Sequence, residues 1–291
     1  MLQTYLIIVI TGLLWGGVYL LMASGLNLIY GVMKVVNLAH GDFIVVGGFL
    51  AVSLFALYKV GPIVALPVAA ALLFLIGLLV QGGLLSRLET GGSQGELRTL
   101  LATFGLSYIA SNSALLIWGG QYQSLPFFQS SLHVGPFFLP EALLACSLLA
   151  FIIAFALQVW LTKTMMGRLV RATAQSELGA ASCGLNTHKV RLLTFALGSA
   201  IAGAAGALVV VLIPLQATSG GFLTVQAFTL IALGGLGNFL GAIVAALLLG
   251  IIEVSMSYFF GPNAASSVTY LVFIAVVLFR PQGLLGQRGR I

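Results

Sequence analysis

The sequence predicts an all-α fold, a polytopic transmembrane helical bundle of about eight or nine membrane segments with broken or re-entrant helices and a weak internal repeat. Three observations carry that prediction. Only 6% of the 291 residues are charged and 60% are hydrophobic, where a soluble domain carries about a quarter charged residues. The mean hydropathy is +1.15. The apolar residues also gather into separate runs of bilayer-crossing length, roughly 17 to 25 residues.

In chain order the qualifying runs are residues 5–31, 43–58, 62–80, 99–118, 141–161, 191–213 and 236–254, followed by a shorter one at 268–279. The piece between Gly220 and Gly235, GFLTVQAFTLIALGG, is apolar yet interrupted by Thr, Gln and paired glycines. Hydropathy leaves open whether it crosses or enters and returns. The first run has no Lys or Arg before Lys34, so it lacks the basic start of a signal peptide and reads as a retained helix.

Charge gives orientation. Lys163, Arg168, Arg171, Lys189 and Arg191 sit in or beside residues 162–191, Arg87 and Arg98 bracket the loop after the third run, and Arg280, Arg288 and Arg290 form the tail. The positive-inside rule makes these the cytoplasmic surfaces. Residues 119–140 contain no Lys or Arg and many aromatics and prolines, and belong on the other side. If 220–235 crosses, the N-terminus lies outside and the C-terminus inside, although Lys34 and Lys59 pull in different directions. The net charge of +6 is dispersed among apolar segments, which fits a lipid bilayer as partner and excludes nucleic acid.

Polar groups within hydrocarbon need partners, water or solute, which singles out Asn27, Asn37, His40, Asp42, Gln226 and Asn238. Gly41, Gly234, Gly235 and Gly237 stand beside them, and broken helices at membrane depth are tolerated where the backbone is buried in protein or lines a cavity. Asn27, Asn37, His40, Gly41, Asp42, Gly234, Gly235, Gly237 and Asn238 are therefore the candidate translocation-pathway residues. Within NLAHGD, Asp42 suits the cap of a helix beginning at Phe43. His40 reads either as an interior histidine bonded to a carbonyl or as a proton relay. GVMKVVNLAHGDFIVVGGFLA and GGLGNFLGAIVAALLLGI echo each other, with Asn37 and Asn238 followed by Gly41 and Gly241. The small residues between Gly198 and Gly206 serve either tight packing within one bundle or a subunit seam.

Catalytic signatures are missing: no GxSxG, no HExxH and no G-x-x-x-x-G-K-[ST] phosphate loop, and Cys146 and Cys183 share no metal-ligand spacing. The chain is expected to be no enzyme and to bind no cofactor or metal. Residues 162–191 read as two short helices, Gly167 to Gln175 and Glu177 to Cys183, with Ser176 as an N-cap and Gly184 as the terminating glycine. They are either a solvated surface loop or a knob for a cytoplasmic partner.

Three stretches resemble the permeases of the branched-chain amino acid class of ABC importers: GLNLIYGVMKVVNLAHGDF at 25–43, GRLVRATAQSELGAASCGLNTHKVRLLTFALGSAIAGAAGAL at 167–208, and GGLGNFLGAIVAALLLGIIE at 234–253. The ending FRPQGLLG at 279–286 is also similar to the family's tail. The resemblance implies a single permease domain over 1–291 in a bacterial inner membrane. It implies a second, related permease subunit as a heterodimer partner, two cytoplasmic ABC ATPase subunits that hold ATP and magnesium, and a periplasmic solute-binding protein. The coupling loop would be 162–191, with Gly167, Arg168, Arg171, Glu177, Ala180, Ala181 and Gly184 at its matching positions. Many relatives have Glu in place of Asp42 and Phe in place of Leu38; the acid is kept. The alternative reading is a secondary transporter driven by an ion gradient through His40 and Asp42.

Overall fold

The computed structural model describes residues 2–88, 93–128, 130–134, 137–280 and 282–285. Arg288 and Arg290 of the basic tail, Pro281 and Gly286 of FRPQGLLG, and Glu89 lie outside the described residues. The helices are α1 (Leu2–Met33), α2 (His40–Tyr58), α3 (Pro62–Val80), which runs on through a π turn at Gln81–Leu85 into α4 (Ser86–Leu88), α5 (Ser93–Trp118), α6 (Glu141–Lys163), α7 (Met165–Gln175), α8 (Glu177–Ser182), α9 (Thr187–Leu212), α10 (Gly220–Gly234), α11 (Phe239–Phe260) and α12 (Pro262–Phe279). A two-stranded antiparallel hairpin, β1 (Ser131–Val134) and β2 (Phe137–Pro140), precedes α6. Among the described residues, nine helices are long and apolar enough to cross a membrane, and α10 with its 3₁₀ entry at Ala217–Ser219 is one of them. The chain is a multi-pass membrane protein.

Helix α9 is the axis of the bundle. It packs on α1, α2 and α3, and its small residues make that possible. A Cβ at Gly206 would lie 1.9 Å from the Ile44 carbonyl oxygen of α2, and one at Gly25 of α1 would lie 2.5 Å from the Gly198 carbonyl oxygen. Where lipid supplies no hydrophobic drive between helices, such backbone approach supplies the van der Waals contact. Of the two readings of residues 198–206, packing within one bundle is the observed one, since every residue from Ile201 to Val210 is buried inside the single chain.

Two ends of the bundle can be told apart. The C-terminus of α1, helix α7 and the α10–α11 link share one end, where they line a common cavity. Residues 119–128, paired to the C-terminal end of α9 through Gln123 and Leu215 and through the Leu125 N–H donating to the Val210 carbonyl, occupy the other. Lys34 is at the first end; Lys59 follows the C-terminus of α2, whose Phe55 stacks edge-on against Phe127, at the second. The piece left open by hydropathy therefore crosses. Its approach is tied at Gln216, which donates to the Gly120 carbonyl at 2.9 Å, and its far end is tied at Gly234 to Leu285 of the tail.

Candidate functional site

The link between α1 and α2 climbs back into the bundle. His40, the first residue of α2, places its Nε2 2.9 Å from the carbonyl oxygen of Met22, eleven residues before the end of α1. At about 1.5 Å per residue that is roughly 16 Å along α1, so α2 starts at mid-membrane depth. A carbonyl only accepts, so Nε2 carries the proton of that bond. Asn37 prepares the start by accepting the Ala39 N–H at 3.1 Å, an Asx turn.

The helix begins at His40, not at Phe43, and Asp42 is not its cap. The hydroxyl of Thr224 on α10 takes that role: it accepts the Gly41 N–H at 2.8 Å, supplying an acceptor for one of the orphan donors of the first turn. Gly41 must be glycine here, because a Cβ would sit 1.9 Å from the Gly220 carbonyl oxygen. Asp42 reaches another helix instead and accepts from the Ser107 hydroxyl of α5 at 2.5 Å. Asn37, His40 and Asp42 are 1%, 0% and 3% exposed, and they line neither of the two cavities described next. The structure brings Asn37, His40, Gly41 and Asp42 together as a buried junction of α1, α2, α5 and α10.

The other predicted pathway residues gather elsewhere. The chain breaks after α10 with Gly235 at φ +105° and Gly237 at φ +79°, a region that favours glycine. Asn27 of α1 accepts the Gly237 N–H at 2.9 Å. Asn238 caps α11 by accepting the Gly241 N–H at 3.2 Å, and its amide donates to the Leu285 carbonyl at 2.7 Å. Gly234 and Gly241 face each other so closely that a Cβ on Gly241 would lie 2.0 Å from the Gly234 carbonyl oxygen. The sequence echo thus has a spatial meaning: Gly41 packs on the first turn of α10, Gly241 on its last. Asn27, Gly237 and Asn238 line an inner cavity of about 620 Å³ together with Lys34 and Arg171.

A second cavity of about 360 Å³ lies in the opposite half, between α1, α10, α11 and the start of α12. Of the polar groups gathered here, the sequence singles out Gln226 as needing a partner, but not Tyr19, Glu253 or Thr269. Glu253 of α11 accepts hydrogen bonds from the Tyr19 hydroxyl of α1 and the Thr269 hydroxyl of α12, and Gln226 shares the wall. One signal was available: Glu253 is the lone acid of an apolar 22-residue helix, and an intramembrane ionisable residue is a functional candidate by default.

Helices α7 and α8 form as expected, and each end has a local reason. Thr164 accepts the Gly167 N–H and Ser176 accepts the Gly179 N–H, both at 3.0 Å. At the far end Gly184, at φ +80°, donates to the Ala181 carbonyl while Leu185 donates to that of Ala180, which together make a Schellman termination. Ala180 is buried; Ala181 is exposed, as are Arg168 and Arg171. Glu177 pairs with Arg191 of α9 at 2.6 Å. Leu178, which sequence reading passed over, is 83% exposed.

The family described as branched-chain amino acid transport system / permease component matches residues 8–279. The chain belongs to that family. The permease is 28% identical to the high-affinity branched-chain amino acid transport system permease protein BraD of Pseudomonas aeruginosa, covering 97% of this chain and 96% of BraD. It is 28% identical to LivH of Salmonella typhimurium over 95% of this chain and 94% of LivH. It is also 27% identical to LivM of Escherichia coli K12, over 92% of this chain and 68% of LivM. Among solved structures, PsaBC from Streptococcus pneumoniae in complex with Fab shares the fold, with a TM-score of 0.51, 12% identity and 97% of each chain covered.

Proposed function

We propose that this permease is the translocating subunit of an ATP-driven importer of a small polar solute, a branched-chain or other amino acid or a related amide or organic acid, in a bacterial inner membrane. It pairs with a second, related permease subunit, as the joint likeness to LivH and LivM supports. Two cytoplasmic ATPases hold ATP and magnesium and dock at Glu177–Gly184, and a periplasmic binding protein delivers solute at the opposite end.

The observation that carries this reading is the construction of α8. A two-turn helix capped at both ends presents an exposed leucine, and an ion pair ties it to α9, the helix against which α1, α2 and α3 pack. Force applied to Leu178 passes through a short rigid element into the bundle core. A conformational change follows only where the partner binds two states with different affinity, and nucleotide-dependent closure of an ATPase pair supplies that difference. Gly167, Arg168 and Arg171 lie on α7, which leads directly into α8. His40 and Asp42, on which a gradient-driven mechanism rests, line neither of these two cavities.

The test replaces residues 177–184 with a Gly/Ser linker of equal length in the reconstituted system. Co-purification of the ATPases and ATP-driven uptake into proteoliposomes are both expected to be lost. Uptake that survives the replacement and collapses with an uncoupler at constant ATP defeats the importer reading.

A further inference from the structure

Glu253 is the acid that the importer reading leaves without a task. It lies within the bilayer-spanning part of α11, 8% exposed, at the wall of the outer cavity. Both carboxylate oxygens act as acceptors, one for the Tyr19 hydroxyl and one for the Thr269 hydroxyl. The Gln226 side chain also hydrogen-bonds this carboxylate. An ionised carboxylate has about four lone-pair sites, so these three donors leave capacity for one more. Buried carboxylates are ordinarily paired with a cation. The described residues lining this cavity include no Lys, Arg or His. A cation that pairs with the carboxylate would enter from the cavity.

The rest of the wall fits what such a cation would carry. Trp15, Met22, Phe222 and Leu223 offer apolar surface beside the acid, while Gln226 and Ser257 add two neutral polar groups. A volume of about 360 Å³ is at the small end of ligand pockets and suits one molecule the size of an amino acid. The cavity lies in the half of the bundle away from α7 and α8, on the side where solute would arrive.

We infer that this cavity is a solute subsite in which Glu253 accepts the ammonium group of a small amine with an apolar side chain. Tyr19 and Thr269 are positioning residues that hold the carboxylate, and Trp15, Met22 and Leu223 receive the side chain. With no cation in its lining, the subsite disfavours a second carboxylate on the solute. The inference rests on the importer reading and narrows it to amine-bearing solutes.

The experiment uses the assembled importer in nanodiscs without its binding protein. Equilibrium binding is measured for three radiolabelled probes: leucine, 3-methylbutylamine, which lacks the carboxylate, and 4-methylpentanoate, which lacks the amine. Leucine and the amine should bind saturably, and 4-methylpentanoate at least about tenfold more weakly, the scale of a lost charge-assisted hydrogen bond. Glu253→Gln should weaken leucine and the amine by at least about tenfold and leave 4-methylpentanoate unmoved. Tyr19→Phe should cause a smaller loss in the same pattern, and Ser257→Trp, at an exposed position of the lining, should block all probes with Glu253 intact. If Glu253→Gln does not assemble, the Tyr19→Phe and Ser257→Trp variants decide by the same criteria. Equal affinity for leucine and 4-methylpentanoate, unchanged leucine binding in Glu253→Gln, or no saturable binding by the wild type overturns the inference. ATPase association is read on the same preparation. Its absence from the wild-type chain sinks the importer reading, whereas its presence with unchanged Glu253→Gln binding sinks the ammonium subsite alone.

Discussion

One helix serves both cavities. The stretch of α1 from Trp15 to Met22 faces the outer cavity, and the stretch from Asn27 to Val32, with Lys34 just beyond the helix end, faces the inner one. Their polar atoms are used differently. In the outer half, side-chain hydroxyls converge on a side-chain carboxylate. In the inner half, asparagine side chains bind the backbone, Asn27 at Gly237 and Asn238 at Gly241 and Leu285, and the charges present are Lys34 and Arg171. The outer polar groups leave acceptor capacity for a visitor, while the inner asparagines are spent on holding a broken chain in shape. Recognition and architecture are thus separated along one helix, with the close packing at Gly25 between them.

That separation predicts how substitutions divide. The largest effect belongs to the boundary. Gly25→Ala puts a Cβ 2.5 Å from the Gly198 carbonyl oxygen and 3.0 Å from His40 Cε1, so overpacking should cost about 3 kcal/mol, read as a large fall in the thermal midpoint of the purified chain. A midpoint near that of the wild type would mean that the two halves are not joined at this contact.

In the inner half Asn27→Ala leaves the Gly237 N–H without its acceptor and should cost about 1–3 kcal/mol. Asn238→Ala removes the cap of α11 and should cost about 1 kcal/mol. Both should lower thermal stability while leucine affinity in nanodiscs stays within about twofold. Weakened binding at full stability would erase the contrast between the cavities. The smallest change in stability is expected at the coupling segment. Glu177→Ala breaks an ion pair at the surface, of the kind that contributes under about 1 kcal/mol, yet ATP-driven uptake should fall severalfold. Uptake equal to wild type in proteoliposomes would remove Glu177 from the coupling path.

Local chemistry made much of this protein readable from its sequence. Apolar run length marks most of the membrane helices, and the ends of α8 follow from Ser176 and Gly184, whose partners lie within three residues. Such features survive in sequence because the interacting groups are neighbours along the chain. What only the tertiary structure decided involves groups far apart. Helix α2 starts at His40 because a hydroxyl 183 residues away, on Thr224, accepts the Gly41 N–H, so Asp42 is free to meet Ser107. The crossing of α10 rests on contacts with two helix starts and the tail. The cluster at Glu253 needs Tyr19, 234 residues earlier, and Thr269 on the next helix. Composition marks which side chains must find partners inside a membrane; the rotation and register of packed helices choose them, and no local pattern encodes those angles.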